Sequence, residues 1–283
     1  MMYEIFLIVG FLASIVGAIC GIGGGVIIKP LLDASGMLNI EQIGFLSGCT
    51  VFAMSVYSVI QGKLVVIGNK RRARFAEVRE SGEKLTEKIE EKDELLGVSL
   101  PIGSAIGGTL GKILFQGMAS SFGSVNGVAA VQAVVFGSLT FFALLYMTNK
   151  EKIHTYQVKS SWVCMIIGLF LGILSAFLGI GGGPFNLIAL HFFFSMSTRR
   201  AVKNSLYIIM FAQAANLLTV FVSGTVPNVK LLLILLMSVS GILGGIAGGF
   251  FSKKINDKAI DKLFAVLMIL IIFLNVYNFF RYV

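Results

Sequence analysis

Long uninterrupted apolar stretches set the first limit on how this chain can fold. A helix needs about 20 residues to cross the hydrocarbon core of a bilayer, and several stretches reach that length. They are continuously apolar, whereas the strands of a membrane barrel alternate apolar and polar residues over about 10 positions. The stretches therefore predict transmembrane helices, at about 40–62, 95–117, 126–148, 202–223, 230–251 and 261–280.

The composition agrees with a membrane location. Hydrophobic residues make up 56% of the chain and charged residues only 13%, with a mean hydropathy of +0.89. The net charge of +9 could indicate a nucleic-acid partner, but the basic residues lie in the loops between the apolar stretches. Loops rich in Lys and Arg stay in the cytoplasm when a membrane protein inserts. We therefore expect a multi-pass protein of the cell membrane, surrounded by lipid, with no nucleic-acid partner.

The sequence contains two copies of one unit. Residues 18–25 read AICGIGGG and residues 176–183 read AFLGIGGG, an offset of 158 positions. A short apolar stretch follows each motif, and then a polar pair stands at the head of a long span, Cys49 with Thr50 in one copy and Asn204 with Ser205 in the other. We expect a first repeat over 1–148, a cytoplasmic linker over 149–160 and a second repeat over 161–283.

A glycine-rich segment recurs later in each copy. The segment 104–114 matches 241–251, and each copy then ends in one more apolar span. Small residues let membrane helices approach closely. These later glycines indicate helix packing and not a binding site.

The charges of the loops predict how the two copies lie relative to each other. The loops 63–94, 149–160 and 252–262 hold nine, three and four Lys or Arg residues, whereas 118–126 holds no charge and 223–230 only Lys230. The first three loops are therefore predicted to be cytoplasmic. The loop 63–94 also carries many opposite charges three or four residues apart, which is typical of a charged helical insertion.

A hairpin at each GIGGG motif reconciles these charges with the apolar spans. The chain would run into the membrane before the glycines and return on the short segments 26–36 and 184–196. Each copy then crosses the membrane an odd number of times, so the two copies have inverted topologies, as in many secondary transporters. The predicted fold is an all-α integral membrane protein of two inverted repeats, each with a GIGGG-broken hairpin followed by three spans, or about 8 long and 2 short membrane helices.

The glycine hairpins are the strongest candidate for a binding site. A run of glycines costs a membrane helix about 1 kcal/mol per residue relative to alanine, and irregular backbone at membrane depth is tolerated only when protein covers it or it lines a wet cavity. A glycine turn that opens a new helix presents N–H groups and a positive dipole end, which favour an anion. The alternative is that the glycines only make a tight turn. The motif lacks the GK[ST] ending of a nucleotide-binding loop.

Polar side chains near these hairpins complete the predicted site. Lys29 could attract an anion or extend to the cytoplasmic interface, and the hydroxyls of Thr50 and Ser205 could donate to its oxygens or bond their own helices. The amides of the second repeat could bind substrate or hold helices together. The predicted substrate-binding residues are Gly21, Gly23, Gly24, Gly25, Lys29, Thr50, Gly179, Gly181, Gly182, Gly183, Asn186, Asn204, Ser205 and Gln213.

The motif GIGGGVIIKPLL, followed by a Thr-bearing span and a second GIGGG half, resembles the TauE/SafE family of sulfite exporters and related permeases. The resemblance covers nearly the whole chain. It implies transport of a sulfur-containing anion such as sulfite, sulfoacetate or another organosulfonate. The second half departs from the pattern, because Pro184 follows its glycines directly and Ile188 stands where the first half has Pro30.

The sequence favours a transporter over an enzyme. The chain has only two histidines, His154 and His191, it has no GxSxG or HExxH motif, and its three cysteines show no metal-binding spacing, so we expect no catalytic residues, no metal and no cofactor. Export by alternating access is the leading hypothesis, because the membrane potential drives anions outward and no carboxylate stands out within the spans to bind a coupling ion.

Several alternatives stay open at this stage. An anion channel, or an uptake permease coupled to protons or sodium, is the alternative function. The sequence also leaves open whether the chain forms a homodimer.

Overall fold

The computed structural model describes residues 2–77, 84–121 and 125–282. Within these ranges the chain forms ten α-helices and one 3₁₀ turn, with no β-strand. The helices are α1 Met2–Cys20, α2 Gly25–Ser35, α3 Ile40–Glu77, α4 Lys84–Ser121, α5 Val125–Asn149, α6 Ser161–Leu178, α7 Gly183–Phe194, α8 Thr198–Val222, α9 Leu231–Ser252 and α10 Asp257–Tyr282.

Eight of these helices are long and apolar enough to cross a membrane, and α2 and α7 are short. The prediction of an all-α membrane protein with about eight long helices and two short ones is confirmed for the described residues. The predicted insertion 63–94 is helical in its described part. Its first half continues α3 as far as Glu77, and its second half is the start of α4 from Lys84 onward. Its residues 78–83 lie outside the described residues, as do 122–124 of the loop 118–126.

The same packing arrangement occurs twice in the bundle. In the two repeats, α1 corresponds to α6 and α4 corresponds to α9. Helix α1 lies along α9, and helix α6 lies along α4. Both contacts use glycines, since a Cβ on Gly107 would collide with the Leu169 carbonyl and one on Gly244 with the Phe11 carbonyl. The later glycine-rich segments therefore pack helices closely, as the sequence indicates.

The contacts also give the directions of the helices. Gly10 of α1 faces Met237 of α9, and further along both helices Gly248 faces Ile15, so α1 and α9 run parallel. By the same test α4 runs parallel to α6, because Gly103 faces Met165 and Gly111 faces Ile173. Helices α3 and α8, which are counterparts in the two repeats, run antiparallel. The ring of Phe45 contacts that of Phe221, while Gly48 faces Gln213, which lies earlier in α8.

Candidate anion site at the two glycine turns

Each GIGGG motif forms a turn between a long helix and a short one. The first turn joins α1 to α2 and the second joins α6 to α7, so the chain has a break between two helices at both motifs. Left-handed backbone explains the choice of glycine, because positive φ strains any residue with a Cβ. The first turn has two such glycines and the second has four, namely Gly21 and Gly23, then Gly179, Gly181, Gly182 and Gly183.

The difference between the two turns follows from proline. The residue before a proline is disfavoured in the right-handed helical region, and Pro184 directly follows Gly183, which has φ of +40°. In the first turn Gly24 has φ of −62° and Pro30 lies inside α2. The unequal proline positions in the sequence therefore give unequal turns.

The two turns meet in the interior of the bundle. A Cβ on Gly25 would lie 2.6 Å from the carbonyl oxygen of Ile180, and one on Gly23 would lie 3.8 Å from the carbonyl oxygen of Gly181. The backbones of the two turns thus approach closely at Gly25 and Ile180, and the Val51 side chain lies beside both Gly23 and Gly181. Residues far apart in sequence form one site because both copies of the motif contribute to it.

Two helix N-termini begin at this meeting point. The N-cap residues, Gly24 of α2 and Gly182 of α7, are glycines and have no side chain that could cap the first amide groups. The first amide groups of a helix have no partner inside the helix, and the dipole is positive at this end. Both short helices therefore direct anion-favouring groups toward the turns.

Two serine hydroxyls lie beside glycines of the first motif, one from each repeat. Ser205 of α8 donates a 2.5 Å hydrogen bond to the carbonyl oxygen of Gly21 in the other repeat. Ser47 of α3 stands 158 positions before Ser205, the offset of the glycine motifs. Its hydroxyl lies 2.8 Å from the position of a Cβ on Gly25, and it is buried without a hydrogen-bond partner among the described residues.

The structure does not bring Thr50 to the turns. Its hydroxyl donates to the carbonyl of Leu46 at 2.8 Å, one turn earlier in α3, and its methyl group faces Gly241 of α9. The match of Thr50 with Ser205 made from the sequence is therefore corrected to Ser47 with Ser205. The signal that identifies Ser47 is the constant offset of 158 positions between the repeats.

Two of the three predicted amides lie at the turns. Asn186 of α7 is 1% exposed, lies against Gly182 and has neither amide atom hydrogen-bonded among the described residues. Gln213 of α8 lies beside Gly181 and accepts a 3.3 Å hydrogen bond from Asn216. Asn204 lies elsewhere, because its amide donates to the carbonyl of Arg200 at 3.0 Å and contacts the sulfur of Met196.

Lys29 is held inside the bundle. Its side chain is 7% exposed, and its ammonium group donates to the Leu178 carbonyl and, at 2.7 Å, to Gln132 Oε1. The alternative that Lys29 extends to an interface is therefore wrong. A cation at the C-terminal end of α6 is favoured by the helix dipole, so Lys29 fixes α2 against the start of the second turn. Gln132 carries no motif in the sequence that would have indicated this contact.

Asp33 corrects one expectation from the sequence, namely that no carboxylate stands out within the membrane segments. It lies in α2, within the predicted short segment 26–36, and is 8% exposed. A carboxylate is therefore present inside the bundle, and the membrane potential alone favours export.

The fold and this site define a multi-pass membrane protein of the transporter class. Residues 93–274 match the family described as sulfite exporter TauE/SafE, and the chain belongs to that family, as its motifs indicated. Over 288 residues the chain is 25% identical to a Bacillus subtilis (strain 168) protein named "Probable membrane transporter protein YunE", and the match covers 96% of each chain. No solved structure matches the chain.

Proposed function

We propose that this protein is a secondary transporter that moves a small sulfur-containing anion, such as sulfite, sulfoacetate or another organosulfonate, by alternating access. The observation that carries the proposal is the meeting of two glycine turns, each of which opens a short helix with a glycine at its N-cap. Backbone amides and helix dipoles at one point favour a small anion. The family description names sulfite exporters, which supports sulfur as the central element.

Unpaired polar groups at the turns support the same site. The hydroxyl of Ser47 and both amide atoms of Asn186 are buried without partners in the described chain. A buried polar group without a partner costs about 1–3 kcal/mol. A substrate oxyanion would accept hydrogen bonds from the Ser47 hydroxyl and from Asn186 Nδ2, which gives these two donors a partner when the site is occupied.

We also propose that the two repeats lie inverted in the cell membrane, with 63–94, 149–160 and 252–262 in the cytoplasm. The loop charges support this orientation. The antiparallel contact of the counterpart helices α3 and α8 supports it independently. Alternating access would then exchange the conformations of the two repeats around the glycine turns.

Export is the proposed direction. A membrane potential of 100 mV favours the exit of one negative charge by about 2.3 kcal/mol, so export needs no coupled ion. Buried Asp33 supports a second candidate, uptake of the anion together with a proton. Transport measured with and without an imposed pH gradient separates these two functions.

Flux in proteoliposomes tests the proposal. Labelled sulfite, sulfoacetate and chloride are offered to the parent protein and to Ser47→Ala, with Ser104→Ala as the control. Both hydroxyls are buried and unpaired in the described chain, but Ser104 lies at the contact of α4 with α6. We expect saturable sulfite flux with counterflow, and a KM that rises about tenfold or more in Ser47→Ala, since a hydrogen bond to a charged group contributes about 1.5–3 kcal/mol.

The opposite results would contradict the proposal at different levels. Flux that never saturates and shows no counterflow indicates a channel. No flux of any anion in the parent excludes anion transport. Equal KM values for Ser47→Ala and Ser104→Ala remove Ser47 from the site.

A further inference from the structure

A cavity reaches from one end of the bundle to the second glycine turn. It lies among α2, α3, α4, α5, α6 and α8, at the end where Gln42 donates to the Asn228 carbonyl at 2.8 Å. Its volume is about 30 Å³, room for about two water molecules. Its polar lining includes Lys29, Glu41, Lys112 and Gln132. We call this space the α3 vestibule.

The α3 vestibule makes one of the two glycine turns accessible. Gly179 lines it and is partly exposed, although both of its neighbours, Leu178 and Ile180, are buried. The counterpart of Gly179 in the first turn is Gly21, which is fully covered. The two repeats therefore differ in how their turns are reached.

One residue pair contributes to this difference. Gly21 is covered by Val202 of α8, whereas the atoms nearest to Gly179 belong to the Lys29 side chain and to the Cα of Gly44 in α3. Val202 and Gly44 are counterparts, 158 positions apart. A Cβ on Gly44 would meet no atom within 4 Å among the described residues. The missing side chain at Gly44 therefore leaves open the space that Val202 fills in the other repeat.

Two lysines give the α3 vestibule its polarity. Lys112 lies toward its mouth with the ammonium 5.1 Å from the centre of the Phe115 ring. Lys29 lies at its floor, and its two hydrogen bonds to neutral acceptors occupy two of its three N–H groups. Glu41 also lines the space, and Asp33 lines a smaller cavity on the other side of Lys29. The lining carries two positive charges and one negative charge.

We propose that the α3 vestibule is an anion-binding antechamber through which a small oxyanion passes between solution and the second glycine turn. Lys112 attracts the anion at the mouth, Lys29 binds it at the floor, and Gly44 keeps the passage open. This inference deepens the proposed function and rests on it. It assigns roles to Lys112 and Gly44, which lie outside the glycine turns.

The first test fills the α3 vestibule. Gly44→Val places on Gly44 the side chain that Val202 carries at the matching position, and the control is Gly62→Val in the same helix. Neither added Cβ meets an atom within 4 Å among the described residues, and valine is a better helix former than glycine. We expect both variants to keep the thermal unfolding midpoint of the parent, and sulfite flux to fall at least tenfold in Gly44→Val only.

The second test measures directly whether the α3 vestibule prefers anions to cations, and it does not depend on transport. Gly44→Cys is made in a chain whose Cys20, Cys49 and Cys164 are replaced by alanine, and it is labelled with small thiol reagents of equal size, one anionic and one cationic. We expect the anionic reagent to react several-fold faster at Gly44→Cys, and Lys112→Gln to abolish that preference. Gly62→Cys serves as the control position.

The results separate this inference from the proposed function. If the parent transports sulfite and Gly44→Val transports it equally well, the proposal of an anion-binding antechamber is wrong, while the proposal of anion transport is unaffected. Faster reaction of the cationic reagent at Gly44→Cys, or no reaction of either reagent, also overturns the vestibule. If the parent shows no anion flux but the anionic reagent is preferred, the transport proposal fails and the anion-attracting cavity stands.

Discussion

The hydroxyl of Ser205 donates a hydrogen bond of 2.5 Å to the carbonyl oxygen of Gly21. The donor lies on α8 of the second repeat and the acceptor lies in the glycine turn of the first. Val202, one turn earlier in α8, covers the same glycine. The first turn is therefore held by a helix of the other repeat, so that a shift of one repeat against the other moves the turn.

We expect Ser205→Ala to destabilise the protein by about 1–3 kcal/mol, because the buried Gly21 carbonyl loses the hydroxyl that it accepts. The measurement is the thermal unfolding of purified protein in detergent. Ser240→Ala is the matched control, since its buried hydroxyl bonds the Met237 carbonyl of its own helix and no other group among the described residues. Equal unfolding midpoints for the two variants would show that the bond between the repeats contributes nothing to stability.

The variant Thr50→Val tests whether the Thr50 hydroxyl, and not only that of Ser47, binds the substrate. The Thr50 hydroxyl bonds the Leu46 carbonyl of its own helix, and valine has nearly the same shape. We expect the KM for sulfite to stay within about twofold of the parent, because a hydroxyl bonded to its own helix is a common structural arrangement in membrane helices. A rise in KM as large as that expected for Ser47→Ala would return Thr50 to the binding site.

Lys29→Met is expected to destabilise the protein, also by about 1–3 kcal/mol. The Leu178 carbonyl and Gln132 Oε1 are buried acceptors that lose their donor, while methionine keeps much of the apolar volume. Thermal unfolding in detergent measures the effect. Lys112→Met is the control, since Lys112 is partly exposed, and an equal loss in both variants would contradict the structural role of Lys29.

The breaks between helices at the two glycine motifs could be predicted because their physical signal is local. Glycines are expensive inside a membrane helix, and a motif that recurs at one offset has a common structural cause. The packing role of the later glycines was predictable for the same reason. The loop charges predict that corresponding helices of the two repeats run in opposite directions. The antiparallel contact of α3 with α8 agrees with this prediction.

The details of the site depend on contacts that sequence spacing does not show. Thr50 was matched to Ser205 because each is the second residue of a polar pair, yet the constant offset selects Ser47. Asp33 lies in the predicted short segment 26–36, but the sequence pattern does not show that its carboxylate is buried in the bundle. Gln132 bonds Lys29 across 103 residues, and no local pattern indicates that partner.

A cluster of polar side chains joins three elements at the other end of the bundle. Lys150 Nζ lies 2.5 Å from Asp261 Oδ2, and Thr198 Oγ1 donates to Asp261 Oδ1 at 3.0 Å. We expect a double-mutant cycle of Lys150→Met and Asp261→Asn to give a coupling energy of about 0.5–3 kcal/mol in thermal unfolding, the range for residues in one network.

The ion pair of Arg199 with Asp257 is the comparison for the pair of Lys150 with Asp261. This pair is separated by 3.3 Å and its side chains are 43% and 44% exposed, so water screens it. Its coupling should lie below about 1 kcal/mol. A larger coupling for Arg199 with Asp257 than for Lys150 with Asp261 would contradict the view that partial burial strengthens the cluster.

Labelling of single cysteines tests the inverted orientation of the repeats. Ser197 precedes α8 and Ser121 ends α4, and both are exposed. The loop charges place Ser197 in the cytoplasm and Ser121 outside. In a chain without native cysteines, a reagent that cannot cross the membrane should therefore label Ser121→Cys in intact cells, and Ser197→Cys only after the cells are opened. If intact cells label both Ser121→Cys and Ser197→Cys, the two repeats are not inverted copies. If they label Ser197→Cys but not Ser121→Cys, the whole chain has the orientation opposite to the one that the loop charges predict.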